Sequence, residues 1–347
     1  MKIPMGVSYA ILAAMLFGST TPVAKFIIRD IHPVILAAIL YLGSGVGLFL
    51  TRWITGSRSR EAALQRSSMP WLLGAILFGG ILAPVLLMAG LKLTPASSAS
   101  LLLNLEGVFT ALIAWVTFRE NFDRRIAIGM AFIVVGGIVL TCQGEARMEL
   151  SWGAVLIVLA CICWGLDNNF TQKVSSSDPY QVASIKGLVA GIFNLAVSAS
   201  LGAAHCPLAH ALWGLLLGFF GYGLSLAFFV ISLRHIGTAR TGAYFSFAPF
   251  WGTILSILIL NEPITGNLLT AGILMAIGLW LHLTESHAHQ HLHDEFVHDH
   301  KHEHDEHHQH AHDGSGEASD THSHPHRHEK INHSHVHFPD IHHRHSH

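Results

Sequence analysis

Apolar runs long enough to cross a bilayer recur along the first 284 residues, separated by short polar connections. A hydrocarbon core of about 30 Å takes about 20 apolar residues as a helix. Ten such runs are present, at approximately 5–27, 33–54, 70–91, 95–118, 126–142, 152–171, 179–202, 211–233, 238–260 and 264–284. Pro33, Pro70, Pro95 and Pro179 stand where helices open, because the missing amide hydrogen of proline costs nothing in a first turn. Trp53, Trp71, Trp152 and Trp213 fall near run ends, at the depth of the membrane interfaces. The pattern predicts an all-α polytopic membrane protein with ten transmembrane helices. The opening MKIPMGVSYAILAAMLFG has the lysine and apolar run of a signal peptide but no A-x-A cleavage site, and the run continues past residue 20. It reads as a retained first helix.

Composition divides the chain into two materials. It is 51% hydrophobic and 12% charged over 347 residues, outside the soluble range. The last 61 residues nevertheless carry 23 of the 28 histidines, interleaved with Asp, Glu, Ser and Gly and almost no large apolar side chain. Nothing in residues 286–347 can build a core, so this segment is expected to be a disordered His-rich tail.

Charge sets the orientation. With the N-terminus inside, eleven Lys/Arg (Lys2, Arg52, Arg58, Arg60, Arg66, Arg119, Arg124, Arg125, Lys173, Arg234, Arg240) fall on the cytoplasmic side, against three (Arg29, Lys92, Arg147) outside. Ten crossings return the chain to its starting side, so N- and C-termini are both expected in the cytoplasm.

The membrane part repeats. A shift of 147 residues aligns GVSYAILAAMLFGSTTPVAK, from Gly6, with GAVLIVLACICWGLDNNFTQK, from Gly153, and sets Phe17-Gly18 on Trp164-Gly165. A shift of 142 aligns LEGVFTALIAWVTFRENF, from Leu105, with FAPFWGTILSILILNEPI, from Phe247, matching Glu120 to Glu262 and Gly136 to Gly278. Two five-helix repeats follow, 1–145 and 146–285, ahead of the tail. Five is odd, so the second repeat enters upside down, the arrangement by which secondary transporters alternate their access.

LEGVFTALIAWVTFRE resembles the signature of EamA-type members of the drug/metabolite transporter superfamily, and FAPFWGTILSILILNE its second-half partner. FGSTTPVAK and WGLDNNFTQK resemble the opening-helix motifs of the two halves, and the resemblance covers residues 5–284. It implies ten helices in two inverted halves, a central cavity lined mainly by helices 1 to 4 and 6 to 9, export of small metabolites and, from relatives of this kind, a bacterial inner membrane. Gly107 stands where the family usually has proline, whereas Pro249 keeps it in the second half.

Few ionisable side chains enter the spans, and each costs about 2.5 to 3.5 kcal/mol at mid-membrane unless a partner or aqueous cavity receives it. Glu106 lies about 16 Å into helix 4 at a rise of about 1.5 Å per residue, near the midplane. A carboxylate there can take up a proton and couple its movement to that of substrate; the plainer reading is a protonated side chain bonded to a neighbouring carbonyl or hydroxyl. Asn104 is on the same helix but faces elsewhere. Asp167 and Lys186 sit at similar depth on helices 6 and 7 and are expected to pair, with a substrate role as the alternative. Lys25 either snorkels from the outer end of helix 1 or reaches the cavity. Asn168 and Asn169 either hold helix 6 to its neighbours or contact substrate. Ala183, Gly187 and Gly191, and likewise Gly214 and Gly218, form small-residue rows that let helices approach closely.

Other chemistries are not written in the chain. No GxxxxGK[ST] loop is present, so the sequence shows no means of using ATP, and a gradient must supply the energy. No enzymatic constellation or nucleic-acid-binding pattern appears, and no cofactor is required. Cys142, Cys161, Cys163 and Cys206 lack CxxC spacing and read as small apolar residues, with pairing of Cys142 and Cys206 left open.

The tail is the exception. His287, His289, His291, His293, His298, His300, His302, His304, His307, His308, His310 and His312 open a segment of mostly alternate histidines whose neutral imidazoles suit Zn, Ni, Co or Cu. The expected partners are therefore the lipid bilayer, a small-molecule substrate and divalent metal ions; a homodimer is compatible with the sequence. Binding by the tail does not make metal the cargo, because ligand residues are scarce inside the spans. Three readings stand: a metabolite or drug exporter whose tail binds metal, a divalent-metal (Ni/Co/Zn) exporter fed by the tail, and a membrane-anchored metal store.

Overall fold

A computed structural model describes residues 5–55, 64, 66–118, 124–143, 149–174, 177–283, 287–293, 296–302, 322–328 and 331–337. The membrane part is helical. In chain order the helices are α1 (Met5–Gly18), α2 (Thr20–Ile27), α3 (Pro33–Thr55), α4 (Met69–Ala75), α5 (Ala83–Leu93), α6 (Ala96–Leu102), α7 (Leu105–Phe118) and α8 (Arg124–Thr141). A two-residue antiparallel pair, β1 (Cys142–Gln143) with β2 (Glu149–Leu150), follows. Then come α9 (Trp152–Gln172), α10 (Pro179–Ser200), α11 (Leu208–Leu217), α12 (Ser225–Phe245), α13 (Ala248–Leu260) and α14 (Gly266–Leu283). All four cysteines are free thiols.

Among the described residues, eight helical stretches are long and apolar enough to cross a membrane: Met5–Ile27, Pro33–Ile54, Arg66–Leu93, Ala96–Thr117, Arg124–Thr141, Trp152–Gln172, Tyr180–Ser200 and Leu208–Ser232. They coincide with the first eight expected spans. The last two expected spans are shorter apolar helices, Ala248–Leu260 and Gly266–Leu281. The chain folds back where the eighth span is expected to give way to the ninth: the Ser232 and Thr241 hydroxyls lie 2.9 Å apart and the Phe229 and Phe245 rings 4.9 Å between centroids, whereas a straight helix rising about 1.5 Å per residue would hold these pairs roughly 14 and 24 Å apart. A further turn at Ser246 and Phe247 precedes α13.

Two spans widen into π-helix, Ile76–Leu82 between α4 and α5, and Gly218–Leu224 between α11 and α12. Two others are interrupted, at Leu103-Asn104 between α6 and α7 and at Ser246-Phe247 between α12 and α13. Helix α3 packs along α10, α8 along α14, α1 along α12, both α5 and α7 along α9, and α6 along α13. The glycine rows lie at these crossings. A Cβ added to Gly187 would stand 2.7 Å from the Gly45 nitrogen, and one on Gly218 would stand 2.0 Å from the Leu40 oxygen. Lipid tails are as apolar as leucine, so close backbone approach is what holds such helices together. Ile28, Leu36, Leu40, Leu91, Leu102, Ile157 and Met275 are among the fully buried side chains of the core, while Trp53, Trp152, Leu208 and Leu258 stay exposed as lipid-facing residues do.

The tail departs from the expected absence of regular structure over four stretches. β3 (His287–His293) pairs antiparallel with β6 (Ile331–His337), and β4 (Phe296–His302) with β5 (His322–His328). Alternate histidines have the two-residue period of a strand. The register sets His287, His289 and His291 opposite His337, His335 and His333. His304, His307, His308, His310 and His312 lie outside the described residues.

Candidate functional site

The break between α6 and α7 positions Glu106. At the break the backbone tightens to three-residue turns, with the Leu103 amide on the Ser100 oxygen (3.2 Å), that of Asn104 on Leu101 (3.0 Å) and that of Glu106 on Leu103 (3.1 Å). Asn104 is buried; its side-chain amide donates to the Leu101 oxygen at 2.9 Å and lies 3.8 Å from the Met275 sulfur. It closes the break toward α14 and takes no part in the charged cluster. Glu106 emerges on the other side, half-buried, in the first turn of α7.

Helix α9 supplies the partners. The Asn168 amide nitrogen donates to Glu106 Oε1 at 2.9 Å and reaches Thr110 Oγ1 at 3.1 Å, while Thr110 Oγ1 donates back to the Glu106 carbonyl at 2.8 Å. Asn169 ties the same helices from its own side, donating to the Thr110 carbonyl at 3.1 Å and the Gly165 carbonyl at 2.8 Å. The approach is close because residue 165 is glycine: a Cβ there would meet Phe109 Cβ and the Thr110 nitrogen, each at 3.0 Å. Asn168 is exposed and so is Gly107 beside Glu106, which leaves the carboxylate accessible. Among the described residues Glu106 has no ion-pair partner.

Asp167, one residue before Asn168 and so about 100° around α9 from it, faces α10 and the π-helical segment instead of α7. It pairs with Lys186 of α10 and accepts from Thr171 Oγ1 at 3.0 Å. The expected pairing of Asp167 with Lys186 is therefore present. The pair sits against the first π-helical segment. Widening a helix frees carbonyls from the regular ladder, and side chains take them up: the Gly79 oxygen accepts from Tyr41 Oη and from Trp164 Nε1 (3.1 Å), and the Gly80 oxygen from the Asn194 amide (3.3 Å). Gly79 itself leaves the space that Asp167 fills.

Lys25 lies apart from this cluster. Its ammonium group donates to the carbonyls of Leu91, Lys92 (3.4 Å) and Thr94 (2.7 Å), at the C-terminal end of α5, where a cation meets the negative end of the helix dipole. The structure thus brings together Glu106, Asp167, Asn168 and Lys186 of the sequence candidates and separates Asn104 and Lys25 from them. Thr110, Tyr41 and Trp164 belong to the cluster and were not singled out in the sequence. Thr110 had a signal, standing four residues after Glu106 on the same helix face; Trp164 opens the repeated motif WGLDNNFTQK, and Tyr41 carried no signal. For metal, the described residues contain no group of three or more His, Cys, Asp or Glu able to hold an ion. Nothing is described of the tail side chains.

The sequence profile of the EamA-like transporter family matches residues 4–142 and again residues 151–284. The chain belongs to the EamA-like transporter family. It is an integral membrane protein of a family of transporters. An uncharacterized transporter of Methanothermobacter thermautotrophicus is 29% identical over 287 residues, covering 78% of this chain and 84% of its own. The uncharacterized transporter YyaM of Bacillus subtilis is 22% identical, covering 76% of this chain and 88% of its own. A probable amino-acid metabolite efflux pump of Salmonella typhimurium is 24% identical over 202 residues, 54% of this chain and 68% of its own. A solved crystal structure superposes with a TM-score of 0.59 at 16% identity, over 80% of this chain and 96% of that one, which places the two in the same fold.

Proposed function

We propose that this transporter is a gradient-driven secondary exporter of a small metabolite or drug-like solute in the bacterial inner membrane, with both termini cytoplasmic, working by alternating access between two oppositely inserted five-helix halves. The observation that carries the reading is the mid-span cluster in which Glu106, accessible and without a cation partner among the described residues, is held by Asn168 beside the Asp167–Lys186 pair. A carboxylate so placed can exchange a proton, and a neighbouring fixed ion pair changes the field it sees as helices move. The name of the Salmonella relative supports the outward direction.

Paired features support the two halves. The π-helical segments begin at 76 and 218, 142 residues apart. The contact of Gly136 with Ala271 and Met275 is mirrored by that of Gly278 with Gly129 and Ile133, each residue 142 from its counterpart. Such pairs are what two halves related by an in-plane two-fold axis would produce.

The His-rich tail, on this reading, binds divalent metal from the cytoplasm while the cargo passes elsewhere. Its histidine content and the register that sets histidine opposite histidine support the binding.

The test is transport into proteoliposomes under an imposed pH gradient, screened over labelled amino acids, cationic drugs and Ni, Co and Zn ions. Glu106→Gln should abolish pH-driven transport while leaving the protein folded. Unchanged pH dependence removes Glu106 from the mechanism, and accumulation of the metals alone replaces metabolite export by metal export.

A further inference from the structure

On the membrane face opposite the N-terminus, two ionisable side chains from different helices converge on one turn, Thr94-Pro95, between α5 and α6. Glu262, just past the end of α13, bridges the start of α6: Oε1 accepts the Ala96 amide at 2.7 Å and Oε2 the Ser97 amide at 2.8 Å. Lys25, near the end of α2, holds the other side of the turn through the Leu91 and Thr94 carbonyls. A chain turn that needs no help would leave these groups to water. Here it is tied to α2 on one side and to the α13–α14 connection on the other by charge-assisted hydrogen bonds, the stronger kind.

The tie sits above a packed seam. One helical turn below Ser97, residues that include Phe17, Thr21, Ser100, Leu103 and Pro249 close together and leave no room for a water molecule. Ser100 Oγ is buried there and makes no hydrogen bond among the described residues. A buried hydroxyl without a partner is unfavourable, so the seam is better suited to opening onto water or solute than to permanent closure. Of the helices around it, α2, α6 and α13 are those the Lys25 and Glu262 contacts hold to the Thr94-Pro95 turn at this end.

We propose that Glu262 and Lys25 are the latch of the gate on this face: the path opens here when the Glu262 carboxylate leaves the Ala96 and Ser97 amides, and Lys25 keeps the turn docked until it does. The inference rests on the alternating-access reading above. Its order of events is simple: the carboxylate contact breaks, α6 and α13 separate, and the seam beside Ser100 opens to admit solute.

The experiment measures access, which needs neither substrate nor gradient. In a full-length chain retaining only Cys161, Ser100→Cys is labelled in proteoliposomes by a membrane-impermeant maleimide added from the side carrying the Thr94 turn. Glu262→Gln should speed labelling on the order of tenfold, the factor that loss of one charge-assisted hydrogen bond allows, and Lys25→Met should act in the same direction. A short bifunctional thiosulfonate joining Ser97→Cys to Glu262→Cys should return the rate to that of the parent or below. Buried Cys161 serves as the control. An equal gain at Cys161 would mean general loosening and overturn the latch, as would an unchanged rate at position 100. Failure of transport in every variant and in the parent bears on the function proposed above, while the labelling rates alone decide the latch.

Discussion

Adding one methyl group at Gly79 is the sharpest test of how the charged cluster is built. A Cβ there would lie 1.9 Å from Asp167 Oδ2, 2.1 Å from its Cγ and 2.6 Å from its Cβ, where ordinary contact is about 3.5 Å. Relief needs a movement of roughly 1.5 Å, either of α9 away from the π-helical segment or of the carboxylate away from Lys186. The first route is overpacking, which costs about 1 to 3 kcal/mol. The second breaks an ion pair whose partners are only 6% and 18% exposed, and separating such a pair costs about 3 to 5 kcal/mol. Gly79→Ala should therefore lose about 2 kcal/mol or more whichever route is taken. Gly107→Ala is the matched control, because nothing stands within 4 Å of a Cβ at that position and alanine favours a helix by up to about 1 kcal/mol over glycine. Both variants can be measured by reversible unfolding in mixed micelles with increasing dodecyl sulfate, followed by circular dichroism. A Gly79→Ala protein within about 0.5 kcal/mol of the parent, the range of substitutions that touch nothing, would refute the packing argument, and so would equal effects at the two glycines.

The remaining predictions concern charge and metal. Asp167→Asn should destabilise by about 3 kcal/mol or more by leaving Lys186 buried without its partner, and adding Lys186→Met should recover most of that loss; additive losses in the same unfolding assay would show that the pair is not coupled. Asn168→Ala should leave stability nearly unchanged yet shift the pH dependence of transport, since it removes the hydrogen bond to Glu106 without unpairing Asp167; a profile identical to the parent's rejects the positioning role. Metal binding by the tail should be present near neutral pH and weaken below roughly pH 6.5, as imidazoles take up protons and lose the lone pair that ligates. Isothermal titration with Zn or Ni at two pH values checks this, using the full chain against one ending at Glu285, and equal binding by both chains excludes the tail.

Much of the fold can be read along the chain because insertion into lipid is governed by length and polarity. A run of about 20 apolar residues has almost no alternative to a spanning helix, which is why eight expected spans and eight long apolar helices coincide. The same cost argument picks out Glu106, Asp167 and Lys186, since charges at that depth are too few to be incidental. Where the sequence misleads is where helices bend: the apolar stretch from Leu208 to Ser232 carries no mark of the π-helical turn at Gly218–Leu224, whereas the basic residues near 234–240 do mark the place where α12 folds back on itself.

Hydrophobic length thus fixes which residues lie in the membrane, but not how each helix is rotated. In lipid both faces of a helix are apolar, and rotation is decided by where small residues allow backbones to touch. Gly165 brings Asn168 onto Glu106, Gly79 makes room for Asp167, and the end of α5 draws Lys25 away from the cavity that its position on helix 1 suggests. Each of these depends on a contact between residues more than fifty positions apart, and no local pattern records such a contact.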